Sequence, residues 1–364
     1  MGSTLGNSLK ISLFGESHGE AVGTVIDGFP AGIKVDETFI DAEMARRAPG
    51  GNFATPRKEK DAYRILSGVL NGITTGAPIC CIIENTNQRS SDYQALLSLP
   101  RPSHADFTGA LRYNGFNDQR GGGHFSGRLT APLVFAGSLC KLYLAQKGIH
   151  IGAHLKSVGT VKDDNFNEGQ LNPELFKDLA KKELAFLRKD SEEKAKSEIQ
   201  NRQSEGDSVG GVVECAAIGV RAGLGNPFFE TVESKIAAII FAIPGVKGVE
   251  FGEGFSIAKM LGSTANDVFC LKDNQPYPET NKNGGCLGGI TTGAPIIFRA
   301  AFKPTASIEK SQFTLNVITG HKEELKVEGR HDPCIAVRAV PVVETACAIV
   351  ITDMILEGAG YDRP

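Results

Sequence analysis

An imidazole set between glycines, directly after a strand-like run, is the first sign of chemistry in this chain. Phe14-Gly15-Glu16-Ser17-His18-Gly19 follows Leu9-Lys10-Ile11-Ser12-Leu13. Histidine ordinarily titrates at about 6.5, so His18 can donate a proton near neutrality, and a neighbouring anion increases the protonated fraction. The glycines allow a ligand to approach the backbone closely. A plain strand-to-loop turn has the same composition, so His18 takes its meaning from other segments.

The first of these is Arg120-Gly121-Gly122-Gly123-His124-Phe125-Ser126-Gly127-Arg128, which runs into the apolar stretch Leu129 to Ala145. Small residues, backbone N–H groups, Ser126 and Arg128 at the start of a helix suit a phosphate or carboxylate, which the orphan donors and the helix dipole stabilise. The segment lacks the Gly-Lys-Ser/Thr ending of a Walker loop and the Gly-x-Gly-x-x-Gly of a dinucleotide fold. Lys303-Pro304-Thr305-Ala306-Ser307 adds a cation and two hydroxyls, suited to a phosphate tail or to a strand-ending turn. Gly329-Arg330-His331-Asp332-Pro333-Cys334 joins a guanidinium, an imidazole and a carboxylate in one loop. Arg46, Arg47, Arg57, Lys58, Arg101, Arg120, Arg128, Lys303, Arg330 and Arg338 are candidates to converge on a small polyanion.

The elements that must position these groups show a hidden repeat. Gly-Ile-Thr-Thr-Gly-Ala-Pro-Ile occurs at 72–79 and again at 289–296, each time leading into a β-like run. Outward from it, Val22 to Ile26 followed by a helix over 36–48 matches Gly211 to Cys215 followed by a helix over 231–242. Each half then reaches a histidine-bearing loop and a long apolar helix, near 129–147 or 341–357. We expect an internal duplication of about 8–150 and 209–358 within a single 1–364 domain, with two sheets around a shared helical core. The region 151–208 reads as a helical insert, with a helix opening at Asn172-Pro173 and a polar, flexible connection over Lys189 to Gly206.

Composition limits the class. With 364 residues, 41% hydrophobic, 22% charged and a net charge of −3, the chain reads as a soluble globular protein and not as a general nucleic-acid binder. No apolar run reaches the roughly 18 residues of a membrane span, and the first residues lack the pattern of a signal peptide. A cytoplasmic protein is expected. The eight cysteines contain no Cys-x-x-Cys pair and sit mostly in apolar surroundings. They read as reduced core residues, with no metal site.

Taken in order, the motifs closely resemble the chorismate synthase family. The resemblance rests on Gly-Glu-Ser-His-Gly, Asp27-Gly28-Phe29-Pro30-Ala31-Gly32, Glu84-Asn85-Thr86-Asn87-Gln88-Arg89-Ser90, Arg101-Pro102-Ser103-His104-Ala105-Asp106, the triple-glycine loop, Gly206-Asp207-Ser208, Lys303-Pro304-Thr305 and Gly329 to Cys334. It implies an α+β fold, a β-α-β sandwich with a helical core between two antiparallel sheets, assembled as a homotetramer. It also implies a carbon–oxygen lyase of the shikimate pathway, converting 5-enolpyruvylshikimate 3-phosphate to chorismate by 1,4-elimination with reduced FMN (FMNH2). No nicotinamide fingerprint is present, so NADPH enters only indirectly, through an external flavin reductase.

Carried over by resemblance, His18 protonates the departing phosphate, His104 attends to the flavin and Asp332 assists removal of the ring proton. Arg46, Arg47, Arg101, Arg128 and Arg338 clamp the substrate anions. The flavin draws on His124, Phe125, Ser126, Pro244, Gly245, Gly288, Lys303, Pro304, Thr305, Ala306, Ser307 and Arg330. The chain departs from the family at His124-Phe125, where an arginine and a small residue are usual, at Gly127, usually alanine, and in Gly50 to Ala54, where an arginine is often found. A second reading, a flavin-binding electron carrier or inactive paralogue, has the same residues without the lyase activity.

Overall fold

The computed structural model of the protein describes residues 2–51, 53, 61–86, 98–327 and 331–358. Its eight α-helices among these residues are α1 (Glu37–Arg47), α2 (Asp106–Arg112), α3 (Thr130–Ala145), α4 (Pro173–Ala180), α5 (Lys189–Ser204), α6 (Val232–Ala242), α7 (Gly262–Ala265) and α8 (Ala336–Gly358). Two five-stranded antiparallel sheets face the helical layer. The first runs in the order Thr4–Leu5, Lys10–Gly15, Ala21–Asp27, Ile79–Glu84, Tyr63–Ser67. The second runs Val246–Phe251, Ile296–Phe302, Gly211–Ile218, His150–Val158, Val161–Lys162.

Helix α3 is apolar on every side, and its residues from Thr130 to Cys140 are all buried. A helix of that kind needs partners all round. It finds them in the first sheet, in α1 and in α8, while α8 lies on the strands His150–Val158 and Gly211–Ile218 and against α6. Helix α8 is long and apolar enough to cross a membrane by composition, yet 89% of its apolar window is covered by the rest of the chain. It is the central core helix, and the fold is the α+β sandwich expected.

The helix starts follow from local chemistry. Asp36 caps α1 by accepting from Phe39 N, Thr231 caps α6 through Ser234 N, and Asn172 caps α4 through Leu175 N, with Pro173 at the first turn. The polar stretch expected to be a flexible connection is instead α5, whose Ala195 and Ile199 are buried and whose surface carries the Lys196–Glu192 and Arg202–Glu198 pairs. Two inward residues suffice to dock it, and spaced opposite charges support the exposed face.

Both sheets arrange an antiparallel pair of strands, then the strand that follows the octapeptide, then an edge strand. Strand His150–Val158 holds in the second sheet the place of Lys10–Gly15 in the first. The segment read as an insert, 151–208, therefore opens with a sheet strand. The octapeptides themselves are built alike. Thr74 Oγ1 donates to Pro30 O (2.7 Å) and accepts from Ile33 N (2.9 Å); Thr291 Oγ1 donates to Arg221 O (2.7 Å) and accepts from Leu224 N (2.9 Å). In each copy this threonine ties the hairpin to the chain that leads into the following helix, α1 or α6.

Candidate active site

The glycine loop is shaped by three left-handed residues in a row, Gly121, Gly122 and Gly123, at φ 61°, 87° and 53°. Side chains other than hydrogen resist this backbone; at Gly121 and Gly123 there is no room for one, and at Gly122 little. A Cβ on Gly121 would lie 2.5 Å from His18 Nε2 and 2.8 Å from Ser17 Oγ; one on Gly122 would lie 3.2 Å from His104 Cε1 and 3.3 Å from its Nε2. The loop backbone thus separates the two histidines, with one imidazole over Gly121 and the other over Gly122.

His18, only 4% exposed, sits in a turn held from two sides. On one side Ser17 N donates to Gly123 O (3.1 Å), and Ser17 Oγ donates to Arg120 O (3.2 Å) and Gly121 O (3.1 Å). On the other, Asn85 Nδ2 donates to Glu16 O (3.0 Å) and Gly19 O (2.9 Å). His124 fastens the far end of the glycine loop: its Nδ1–H donates to Gly15 O (3.0 Å), and its Nε2 accepts from Ser3 Oγ (3.3 Å). Phe125 turns to α2, where its ring leaves no space for a Cβ on Gly109 and lies 6.3 Å from Tyr113. The two departures from the family pattern are therefore occupied in docking the loop. Ser126 Oγ accepts from Arg128 N (3.3 Å) and caps the turn that enters α3.

Beside His18 lies a cluster of guanidiniums. Asp61 takes Arg47 on Oδ2, through Nε (2.9 Å) and Nη2, and Arg128 on Oδ1. Arg128 Nε also donates to Asn85 Oδ1 (2.9 Å), the same amide that braces the His18 turn. Arg338 Nε donates to Arg47 O (2.8 Å), and its Nη1 donates to Asp332 (2.6 Å). Burial lowers the Arg47 pKa to about 10 against the pull of Asp61, and the nearby Arg338 and Arg128 add to the depression. Three arginines around two carboxylates leave this largely buried cluster with an excess of positive charge, which favours an anion close by.

Around His104 the Lys303–Ser307 turn closes in. Arg101 Nη1 donates to Ser307 Oγ (2.9 Å), and Lys303 Nζ donates to Ser103 O. Lys303 N donates to Gly245 O (2.9 Å), which brings Pro244 and Gly245 to the same turn. Thr305 Oγ1 donates to Asp332 O (2.7 Å) and Thr305 O accepts from Ser208 Oγ (2.8 Å), linking this turn to the Asp332 loop. Pro304, packed close to Gly210, and Ala306 complete the segment. Asp106, 7% exposed, is held well below the usual carboxylate range: burial pushes it up, and hydrogen bonds from Arg101 and His104 outweigh that. A cavity of about 350 Å³ borders Asp106, lined also by Phe107, Leu111, Asn114, Gln119 and Val317.

Not every residue singled out in the sequence comes to this place. Arg46 points away from Arg47 into the helical layer, with Glu344 in a two-pronged pair (2.7 and 2.8 Å) and Glu43 at 3.0 Å; Lys141 bonds both acids. Burial opposes the charge on Arg46, but Glu344 and Glu43 raise its pKa well above the ordinary value, and Glu344 falls to about 2 despite its burial. Arg46 therefore fastens α1 to α3 and α8 and does not join the guanidinium cluster, because successive residues of a helix face different ways. Gly288 lies in the tight hairpin against Thr231 at the start of α6, while Gly245 follows its end. Arg330 falls outside the described residues, as do Arg57 and Lys58. Asp61 and Asp106 were not singled out, and only their distant or near-neighbour arginine partners reveal them.

Known proteins resemble this chain over nearly its whole length. The family model for chorismate synthase matches residues 9–356. A chorismate synthase of Thermococcus kodakarensis is 46% identical over 358 residues, covering 98% of each chain, and one of Dehalococcoides mccartyi is 45% identical over 374 residues, covering 100% of this chain and 99% of its own. A crystal structure of a chorismate synthase superposes with a TM-score of 0.77 at 30% identity, over 98% of this chain and 94% of that one. Two histidines flanking a glycine loop, an arginine cluster and a lysine-hydroxyl turn thus stand in a chain that belongs to the chorismate synthase family.

Proposed function

We propose that this chain is a carbon–oxygen lyase that forms chorismate from 5-enolpyruvylshikimate 3-phosphate with release of phosphate. The observation that carries this reading is the glycine loop between His18 and His104, beside Arg47, Arg128 and Arg338. A 1,4-elimination from a dense polyanion needs charge neutralisation, a proton for the leaving phosphate and a base-side group across the ring. His18, beside the guanidinium cluster, is the proton donor to the phosphate. Asp332, oriented by Arg338, serves the side of ring-proton removal. Arg47, Arg128 and Arg338 hold the anionic groups, for which planar guanidiniums are better shaped than ammonium ions.

Reduced FMN supplies the electron-rich partner of the elimination when bound and is not consumed overall. The residues present suit it: a left-handed backbone cradle at Gly122 with little room for a side chain, and next to it Lys303 and the hydroxyls of Thr305 and Ser307 for a phosphate. Burial lowers the pKa of Lys303, and Lys247 adds to that, which favours an anion close by. The Gly122 face holds His104 toward the ring system, and Gly245 supports the phosphate turn from beneath. His124, Phe125 and Ser126 act by fixing the loop. Gly288 and Arg330 complete the site from the resemblance alone, and Arg46 and Arg101 serve as braces. The active form is a cytosolic homotetramer fed by an external flavin reductase that draws on NADPH.

The test is anaerobic. Protein mixed with enolpyruvylshikimate phosphate and FMNH2 should release phosphate and form chorismate in equal amounts, and no product at saturating flavin sinks the reading. His18→Ala should lose about 10²–10⁴ in turnover while still binding FMN. A parent that binds FMN and forms no chorismate, with flavin binding indifferent to that change, would favour an electron carrier.

A further inference from the structure

Asp106 has no part in the chemistry set out above, yet it is the most heavily bonded carboxylate near the two histidines. Its Oδ2 accepts from Arg101 N (3.0 Å) and Arg101 Nε (2.8 Å). Its Oδ1 accepts from Arg101 Nη2 (2.7 Å) and lies 2.6 Å from His104 Nδ1. The remaining prong of the guanidinium, Nη1, is anchored on Ser307 Oγ (2.9 Å). All three side chains of this brace are buried, whereas the His104 side chain is 20% exposed.

The distances settle where the proton on His104 resides. Arg101 Nη2 is also 3.0 Å from His104 Nδ1, but a lone pair on that nitrogen would face a carboxylate oxygen at 2.6 Å, which is repulsive. With a hydrogen on Nδ1, Asp106 accepts it, and Arg101 directs its own hydrogen to the same oxygen. The other nitrogen, Nε2, is then the one that faces Gly122, ready to accept when neutral and to donate when protonated. We propose that Asp106, locked by Arg101 and Ser307, is a positioning residue that fixes the Nδ1–H tautomer of His104 and presents Nε2 across the glycine loop. The part this plays in turnover rests on the lyase reading; the tautomer itself does not.

An amide at position 106 makes a sharp test. The Oδ2 position receives two donors from Arg101, so the oxygen of an asparagine is drawn there and its NH2 group faces His104. An NH2 group donates, so Nδ1 must become an acceptor and the proton moves to Nε2. In 15N-histidine-labelled protein, which contains seven histidines, the His104 signals, assigned by their loss in His104→Ala, should show Nδ1–H in the parent and Nε2–H in Asp106→Asn. Turnover of Asp106→Asn should fall by about 10²-fold or more, as expected when a carboxylate that sets a tautomer is neutralised. In a His104→Ala background the same change should cost less than about threefold.

An unchanged tautomer in Asp106→Asn overturns the proposal. So does an equal loss of turnover with and without His104, which would make the brace a general support of the fold. Asp106→Glu keeps the charge and the acceptor, and should retain the Nδ1–H tautomer with partial turnover; it decides the matter should the asparagine variant fold poorly. If the parent protein forms no chorismate at all, the lyase reading fails while the tautomer measurement still judges the brace.

Discussion

Gly121→Ala and Gly122→Ala separate the cost of bending a loop from the cost of moving a catalytic ring. Both positions have nearly the same backbone, φ 61°, ψ 13° and φ 87°, ψ 1°, so an alanine at either pays about 1–2 kcal/mol for the left-handed conformation. What differs is what the new methyl meets. At Gly121 it would lie 2.5 Å from His18 Nε2 and 2.8 Å from Ser17 Oγ, against an ordinary contact of about 3.5 Å, so the His18 ring must retreat by ~1 Å. At Gly122 the nearest atom is His104 Cε1 at 3.2 Å, and a few tenths of an ångström relieve the contact. A misplacement of about 1 Å can cost about 10²-fold in rate. Thermal unfolding should therefore show similar losses of stability in both variants, whereas anaerobic phosphate release should fall about 10²-fold in Gly121→Ala and less than about tenfold in Gly122→Ala. Gly123→Ala is the control for collapse, because its methyl would enter the Asp118 carbonyl. The reasoning is refuted if Gly121→Ala, correctly folded, turns over within about threefold of the parent, or if the order of the first two variants is reversed.

Arg46→Met should lower stability by about 3–5 kcal/mol, because it leaves Glu344 and Glu43 buried with Lys141 alone; the substrate KM of the folded fraction should stay unchanged. Arg128→Lys should raise KM about tenfold and also lower Tm, since an ammonium cannot match the fork that holds Asp61 and Asn85. His154 offers a pH test of stability alone: it lies 3.0 Å from Glu214 and 3.7 Å from Asp163 in the second sheet, and these acids raise its pKa although burial works against the charge. Of the two, only Glu214 is within hydrogen-bond distance, Asp163 acting by its charge, and the contribution of His154 is fully present below the ordinary value of about 6.5 and lost as pH rises through the raised folded value. The gap in Tm between the parent and His154→Gln should be wide at pH 6 and narrower at pH 9. A gap that widens with pH contradicts the assignment.

The elements were largely legible because their signals are local. Caps at Asp36, Asn172 and Thr231 and the continuous apolarity of α3 and α8 can be read from neighbouring residues. Helix α5 was not, since only Ala195 and Ile199 mark its buried face in an otherwise polar stretch. The glycine loop and both histidines stood out by type. The split between Arg46 and Arg47 did not, because it depends on which side of α1 meets Glu344 and which meets Asp61, at separations of 298 and 14 residues. Asp106 and Asn85 stayed hidden for a related reason: each acts by bonding another functional residue. Their bonds appear only once Arg101 is closed on Ser307 and Arg128 on Glu84 O.

The matched strand orders and the twin bonds of Thr74 and Thr291 are what the internal duplication we propose would leave, and on that reading the two halves divide their work. The hairpin, the helix entry and the octapeptide do the same structural task in both halves. Much of the chemistry lies after the octapeptide strand, where the loops of the two halves differ, while His18 and Arg47 come from before it in the first half. There the first half supplies His104 and the glycine loop, and the second supplies the Lys303–Ser307 turn, Asp332 and Arg338. The bonds that complete the site cross between them: Arg101 to Ser307, Lys303 to Ser103 O and Arg338 to Arg47 O. A symmetric pair of halves would offer two like faces to the ring of a substrate. An elimination needs unlike ones, a proton donor with cations on one face and a base-side group on the other. Divergence in these loops and in the His18 turn supplies that asymmetry without disturbing the helical core that α3 and α8 share.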